Sequence, residues 1–152
     1  MAQPQRAQKP SLTLQRRLEA PPAKVYAAWT DPEKLVHWFG PADCIPGTVE
    51  ATLDVRVGGR FTGSFKTADG EYHQVAGVYR EVVPSEKLVF TWAWHTMKER
   101  ESLVTVTMRP DPAGTLLTLL HEQFFDEKAR DGHRRGWSGS LDKLEKFLTS
   151  KE

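Results

Sequence analysis

Between residues 85 and 94, Leu88, Phe90, Trp92 and Trp94 recur at every second position. Period two is the mark of a strand with one buried face. Two of the chain's five tryptophans stand on that face. A face so aromatic must be covered. The cover predicted is the stretch 126–148, which reads as one long helix with Trp137, Leu141, Leu144 and Leu148 on a single stripe. A curved sheet gripping a long helix leaves a cavity between them, and function is expected there.

The rest of the chain supports that arrangement. Residues 11–20 alternate and read as a first strand, ended by Pro21 and Pro22. Pro22 suits a first helical position, so a short helix over 22–29 follows, with Val25 and Trp29 on one face. Asp31-Pro32 is a second helix start, and that helix is predicted to carry Leu35, Trp38 and Phe39 as far as Gly40. From Gly47 to Gln123 the pattern has period two. Strands are predicted over 48–57, 60–67, 71–83, 86–95, 101–109 and 115–123, with Phe61 and Phe65 on one face of the second. Asp69-Gly70 is the strongest hairpin signal. The fold class expected is α+β: an antiparallel sheet of about seven strands wrapped around the long final helix, with two short helices after the first strand. Gly132, Gly136 and Gly139 lie inside the final helix. They leave three readings open: close approach to another element, a kink, or a late helix start.

A chain of 152 residues forms one domain, placed at 11–150, with residues 1–10 as a polar tail that lacks the apolar core of a secretion signal. The net charge is +1, from 21 basic and 20 acidic side chains, which argues against a nucleic-acid or membrane-surface partner. No apolar window approaches the length of a spanning helix, so no membrane insertion is expected. Cys44 is the single cysteine, which excludes an internal disulfide and suits the cytoplasm.

No metal is expected. His37, His73, His95, His121 and His133 include no close pair at ligand spacing. There is no nucleophile elbow, phosphate loop or dinucleotide fingerprint, and no cofactor is expected. In "LDVRVGGRF" Leu53, Val55 and Val57 are predicted to face the core, with Asp54 and Arg56 paired on the other side and a glycine turn beyond. His121 is the polar group of an otherwise apolar face shared with Leu117 and Leu119, so it must be hydrogen-bonded, to the protein or to a ligand. Glu122 falls on the opposite face, so the two form no dyad. Trp29, Trp38 and Phe39 either line a pocket mouth or staple the short helices to the sheet. The residues predicted to line the cavity are Trp29, Trp38, Phe39, Phe61, Phe65, Phe90, Trp92, Trp94, His121, Trp137 and Leu141. Lys128, Arg130, Arg134 and Arg135 read as a solvated basic face.

Four segments carry a family resemblance: "APPAKVYAAWTDPEKLVHWFGP" (20–41), "LDVRVGGRF" (53–61), "VVPSEKLVFTW" (82–92) and "GWSGSLDKLEKFL" (136–148), the last preceded by "LTLLHEQF" (117–124). In their order the chain resembles the helix-grip (SRPBCC) superfamily, which includes START lipid-binding domains, the birch-pollen allergen and polyketide cyclases. Within it, the chain is similar to the family named for homology to the activator of the heat-shock protein 90 ATPase. The resemblance implies a hydrophobic cavity that binds an apolar or amphipathic small molecule. It also implies two rivals: a cyclase- or hydrolase-like enzyme, for which His121, His73, Tyr72 or Tyr79 would supply acid and base, and a chaperone-contacting module. Binding without turnover is the reading adopted.

Overall fold

The computed structural model describes residues 9–149. Most of the predicted tail and Ser150 of the predicted domain lie outside them. Seven strands and three helices follow in the order β1 (Leu12–Leu18), α1 (Pro22–Thr30), α2 (Pro32–Leu35), β2 (Glu50–Leu53), β3 (Arg60–Lys66), β4 (Tyr72–Val83), β5 (Lys87–Trp94), β6 (Ser102–Asp111), β7 (Gly114–Glu122) and α3 (Glu127–Thr149). A short 3-10 turn, His95–Met97, follows β5. The strands form one open antiparallel sheet in the order β1-β7-β6-β5-β4-β3-β2. From β2 to β7 it is a meander, and β1 closes against the last strand. Together with α3 this is the expected helix-grip architecture.

Register follows from the apolar pattern. Phe90 pairs with Val104 and Leu88 with Val106; Val104 pairs in turn with His121, Val106 with Leu119 and Met108 with Leu117. A one-residue slip would turn each of these to the opposite face. All are buried, as are Leu141, Leu144 and Leu148 of α3, so the core lies between the inner face of the sheet and the helices. On the inner face of β1, Arg16 reaches across to α3, 2.6 Å from Asp142 and 3.4 Å from Glu145.

Two predicted elements are shorter than expected. The helix begun at Asp31 ends at Leu35, although the Asp31 carboxylate caps it by accepting the Glu33 amide at 3.0 Å. Trp38 and Phe39 lie in the turn beyond and are still buried. The strand predicted over 48–57 is paired only over Glu50–Leu53. The chain then folds on itself: Asp54 N–H donates to the Arg60 carbonyl at 3.0 Å and Gly59 N–H to that of Arg56 at 2.8 Å. Leu53 and Val55 still pack against the core, but Val57 lies in that loop and is 65% exposed, so its predicted inward orientation is corrected. The expected Asp54–Arg56 pair forms at 3.0 Å.

The helix glycines separate by role. Gly139 marks a close approach, since a Cβ there would stand 2.5 Å from the Ala42 amide nitrogen. Around it Ser140 Oγ donates to the Gly40 carbonyl at 2.6 Å, and Lys143 Nζ to that of Pro41 at 3.1 Å. The 39–42 segment is thereby clamped to α3. Gly136 has nothing within 4 Å of its missing Cβ, and it faces the open space described next.

Candidate functional site

The grip leaves a cleft of about 520 Å³ between α3, the 39–43 segment and strands β3, β4 and β5. Its apolar walls are Phe39, Phe65, Trp92, Trp94 and Trp137; Gly132 and Gly136 form its helical side. The glycines explain the volume. Any side chain at Gly136 would project into space that now stands open. Polar groups lie at the mouth: Asp43, Thr67, Asp69, His73 and Arg135. Apolar walls with a few polar groups are the usual composition of a small-molecule site.

Three indole N–H groups point inward here, that of Trp137 buried and those of Trp92 and Trp94 part-buried, and two histidines satisfy them. His133 Nδ1–H donates to the Ala129 carbonyl one turn earlier, at 2.7 Å. Its Nε2 is thus an acceptor, and takes Trp94 Nε1–H at 2.9 Å and Trp92 Nε1–H at 3.3 Å. His121 uses the other tautomer. Its Nδ1 accepts Trp137 Nε1–H at 3.0 Å, so Nε2–H donates to Ser102 Oγ at 2.7 Å, and that hydroxyl donates to the Trp92 carbonyl at 3.3 Å. Burial pushes both imidazoles down; the neighbouring His133 adds to the effect at His121. Each is therefore neutral, as an acceptor of an indole N–H must be. The network ties β5 and β7 to α3 and fixes the tryptophans of the cleft wall.

Five of the predicted lining residues meet at the cleft: Phe39, Phe65, Trp92, Trp94 and Trp137. The other six do not. Trp38 is fully buried and donates to the Ala28 carbonyl at 3.0 Å, packed edge-on to Trp29 at 4.6 Å, which is the staple arrangement. His121 and Leu141 lie in the core behind Trp137. Trp29, Phe61 and Phe90 line a separate void of about 30 Å³, which has the far sides of Phe39, Trp92 and Trp137 as its other wall. Trp29 Nε1 is the buried side-chain polar atom without a partner among the described residues.

The sequence reading assigned no role in the site to His133, Thr67, Asp69 or Arg135. His133 stands four residues before Trp137, and that helical spacing was signal enough. The Asp69-Gly70 turn fixes a hairpin in which Phe65 pairs with His73, so His73 too was within reach. Of the other acid–base candidates, Tyr72 is exposed, and Tyr79 is buried with its hydroxyl pKa raised by desolvation.

Residues 19–149 match the family described as Activator of Hsp90 ATPase homolog 1-like protein. Protein CV1439 from Chromobacterium violaceum superposes with a TM-score of 0.80 at 29% identity, over 93% of this chain and 99% of that one. The AHSA1 protein SPO3351 from Silicibacter pomeroyi superposes with a TM-score of 0.76 at 28% identity, over 91% of this chain and 97% of that one. A stretch of 53 residues, 35% of this chain, is 40% identical to the mitochondrial RNA-binding protein RMD9 of Eremothecium gossypii and spans 8% of that protein's length.

Proposed function

This chain belongs to the Activator of Hsp90 ATPase homolog 1-like family, and from that premise we propose that its cleft binds an apolar or amphipathic small molecule. The observation that carries this reading is the aromatic cleft of about 520 Å³ whose indole N–H groups are already satisfied. With their polar edges engaged by His133 and His121, the tryptophans offer the cleft mainly ring surface. That surface suits an apolar body, buried at about 25 cal/mol per Å². Both nitrogens of His133 are occupied, so this histidine holds the tryptophans in place and offers no free base to the cleft. A single thiol fits a reducing, cytoplasmic setting.

An uncharged naphthalene dye such as N-phenylnaphthylamine tests the reading. It should brighten on entering the cleft, quench indole emission and raise the melting temperature, by up to about 2.7 kcal/mol of stability at a hundredfold excess over Kd. No brightening and an unmoved melting curve would rule the cleft out as a binding site.

The family's description favours a second reading, contact with a chaperone. Its informative surface is then external. Stimulation of a purified chaperone ATPase, lost on charge reversal at Lys128, Arg134 and Arg135 while dye binding persists, would place that reading first.

A further inference from the structure

At the mouth of the cleft, three side chains form a hydrogen-bonded relay. Thr67 Oγ1 lies 2.6 Å from Asp69 Oδ1 and 3.0 Å from His73 Nε2. Asp69 Oδ1 also accepts the Glu71 amide at 3.0 Å. The Thr67 hydroxyl and that amide hold the Asp69 carboxyl below its usual range, so it is ionised and can only accept. The Thr67 proton therefore points to Asp69, and Thr67 Oγ1 takes its second bond from His73 Nε2–H. In the neutral ring this leaves His73 Nδ1 as an acceptor, and no group among the described residues donates to it.

The relay is a fixed part of the cleft. Thr67 is 5% exposed, and the His73 ring stacks on Phe65 at 5.2 Å and meets the edge of Trp94 at 6.1 Å. What it presents is acceptor capacity: His73 Nδ1 and the second oxygen of Asp69. The charges at the mouth agree, since the two carboxylates Asp43 and Asp69 stand against one guanidinium, Arg135. We propose that the cleft's ligand carries a hydrogen-bond-donating head, a hydroxyl or a protonated amine, seated on Asp69 and His73 with its apolar body against Phe65, Trp92 and Trp94. This rests on the reading of the cleft as a ligand site and names the class of ligand.

Displacement of N-phenylnaphthylamine near neutral pH by n-decanol, n-decylamine and decanoate separates the cases, because the three share an apolar tail and differ in the head. The alcohol and the amine should compete at roughly tenfold lower concentration than the carboxylate. Asp69→Asn keeps the Oδ1 acceptor for Thr67 and Glu71. It should cancel most of the amine's advantage and little of the alcohol's, and so tells the two heads apart. His73→Phe keeps the ring on Phe65 and should weaken both. Melting curves confirm that each variant is folded. Equal competition by all three probes, unchanged in both variants, would overturn the proposal while leaving the cleft a binding site. Preference for decanoate that vanishes in Arg135→Ala would overturn it in favour of an anionic head. Failure of the dye to bind the wild-type protein would remove the cleft reading and this proposal together.

Discussion

His121 and His133 solve one problem, the burial of an indole N–H, in surroundings that differ in one respect. His121 is wholly enclosed, whereas Trp94, one of the two donors to His133, is only half-buried. Replacing either imidazole by phenyl keeps a ring in place and orphans the indoles. In His121→Phe the Trp137 N–H has no access to water, and the loss expected is about 1–3 kcal/mol. In His133→Phe water can reach Trp94, so the loss should be smaller. Urea unfolding of the two variants checks the order; equal losses would mean that the Trp92 bond, at 3.3 Å, dominates. The glycine pair after Val57 makes a second comparison at this scale. Within the pair, the positive φ falls at Gly58, at +85°. Gly59 is held by contact instead: a Cβ there would lie 2.0 Å from the Asp54 carbonyl oxygen, whereas at Gly58 nothing is within 4 Å. Gly58→Ala should cost about 1–2 kcal/mol, the usual left-handed penalty, and Gly59→Val distinctly more. A melting temperature for Gly59→Val at or above that of Gly58→Ala would refute the steric account. The sequence announced a special turn here; which of two adjacent glycines bears which constraint depends on a carbonyl five residues away, and no local pattern encodes that.

Elements differed in legibility for reasons that can be named. Strands β5, β6 and β7 alternate because one face meets the core along most of their length, and their predicted spans hold to within about two residues. The predicted strand over 48–57 keeps its alternation past Leu53, but beyond Asp54 the chain turns back on itself instead of continuing the ladder, and alternation alone does not supply a neighbour. Likewise Asp31-Pro32 marks where α2 begins, while its end is set by the burial of Trp38 and Phe39. Helix α3 was the clearest element and yet concealed the cleft. A sequence shows glycines as helix weaknesses of about 1 kcal/mol each, and only the facing strands show that Gly136 leaves room. This yields opposite expectations for two properties. Gly136→Ala should raise stability by up to about 1 kcal/mol, because the position is helical and a methyl meets nothing. Gly136→Leu should fill the cleft, abolish dye binding and leave the protein folded. A leucine variant that binds the dye as well as wild type would show that the dye sits elsewhere.

At the scale of the whole molecule, sheet and helix are joined through two neutral imidazoles, so the grip is tied to pH. Both His121 and His133 have pKa values lowered by burial, while in the unfolded chain each returns to the ordinary value of about 6.5. Above that value neither state binds a proton, and the network contributes in full. As pH falls below about 6.5 the unfolded chain takes up protons that the native fold refuses, so stability drops toward the lowered native values. The slope approaches about 1.4 kcal/mol per pH unit for each histidine. A protonated ring would also have to present N–H to an indole N–H, which no rotation of the ring cures. Asp69, the carboxyl whose pKa is lowered, contributes stability that is lost only below its ordinary value of 3.8, so the decline that begins near pH 6.5 belongs to the histidines. Unfolding free energy should therefore be level above pH 7, decline between pH 6.5 and 5, and decline less in His121→Phe, which removes one proton site. Dye binding by the protein that stays folded should hold as the pH falls below 6.5, because the native histidines remain neutral and keep the tryptophans of the cleft wall anchored. Urea unfolding across that range checks this. A wild-type curve flat from pH 7 to 5 would mean that the histidines titrate alike folded and unfolded, and that the indole bonds to them do not hold the grip closed.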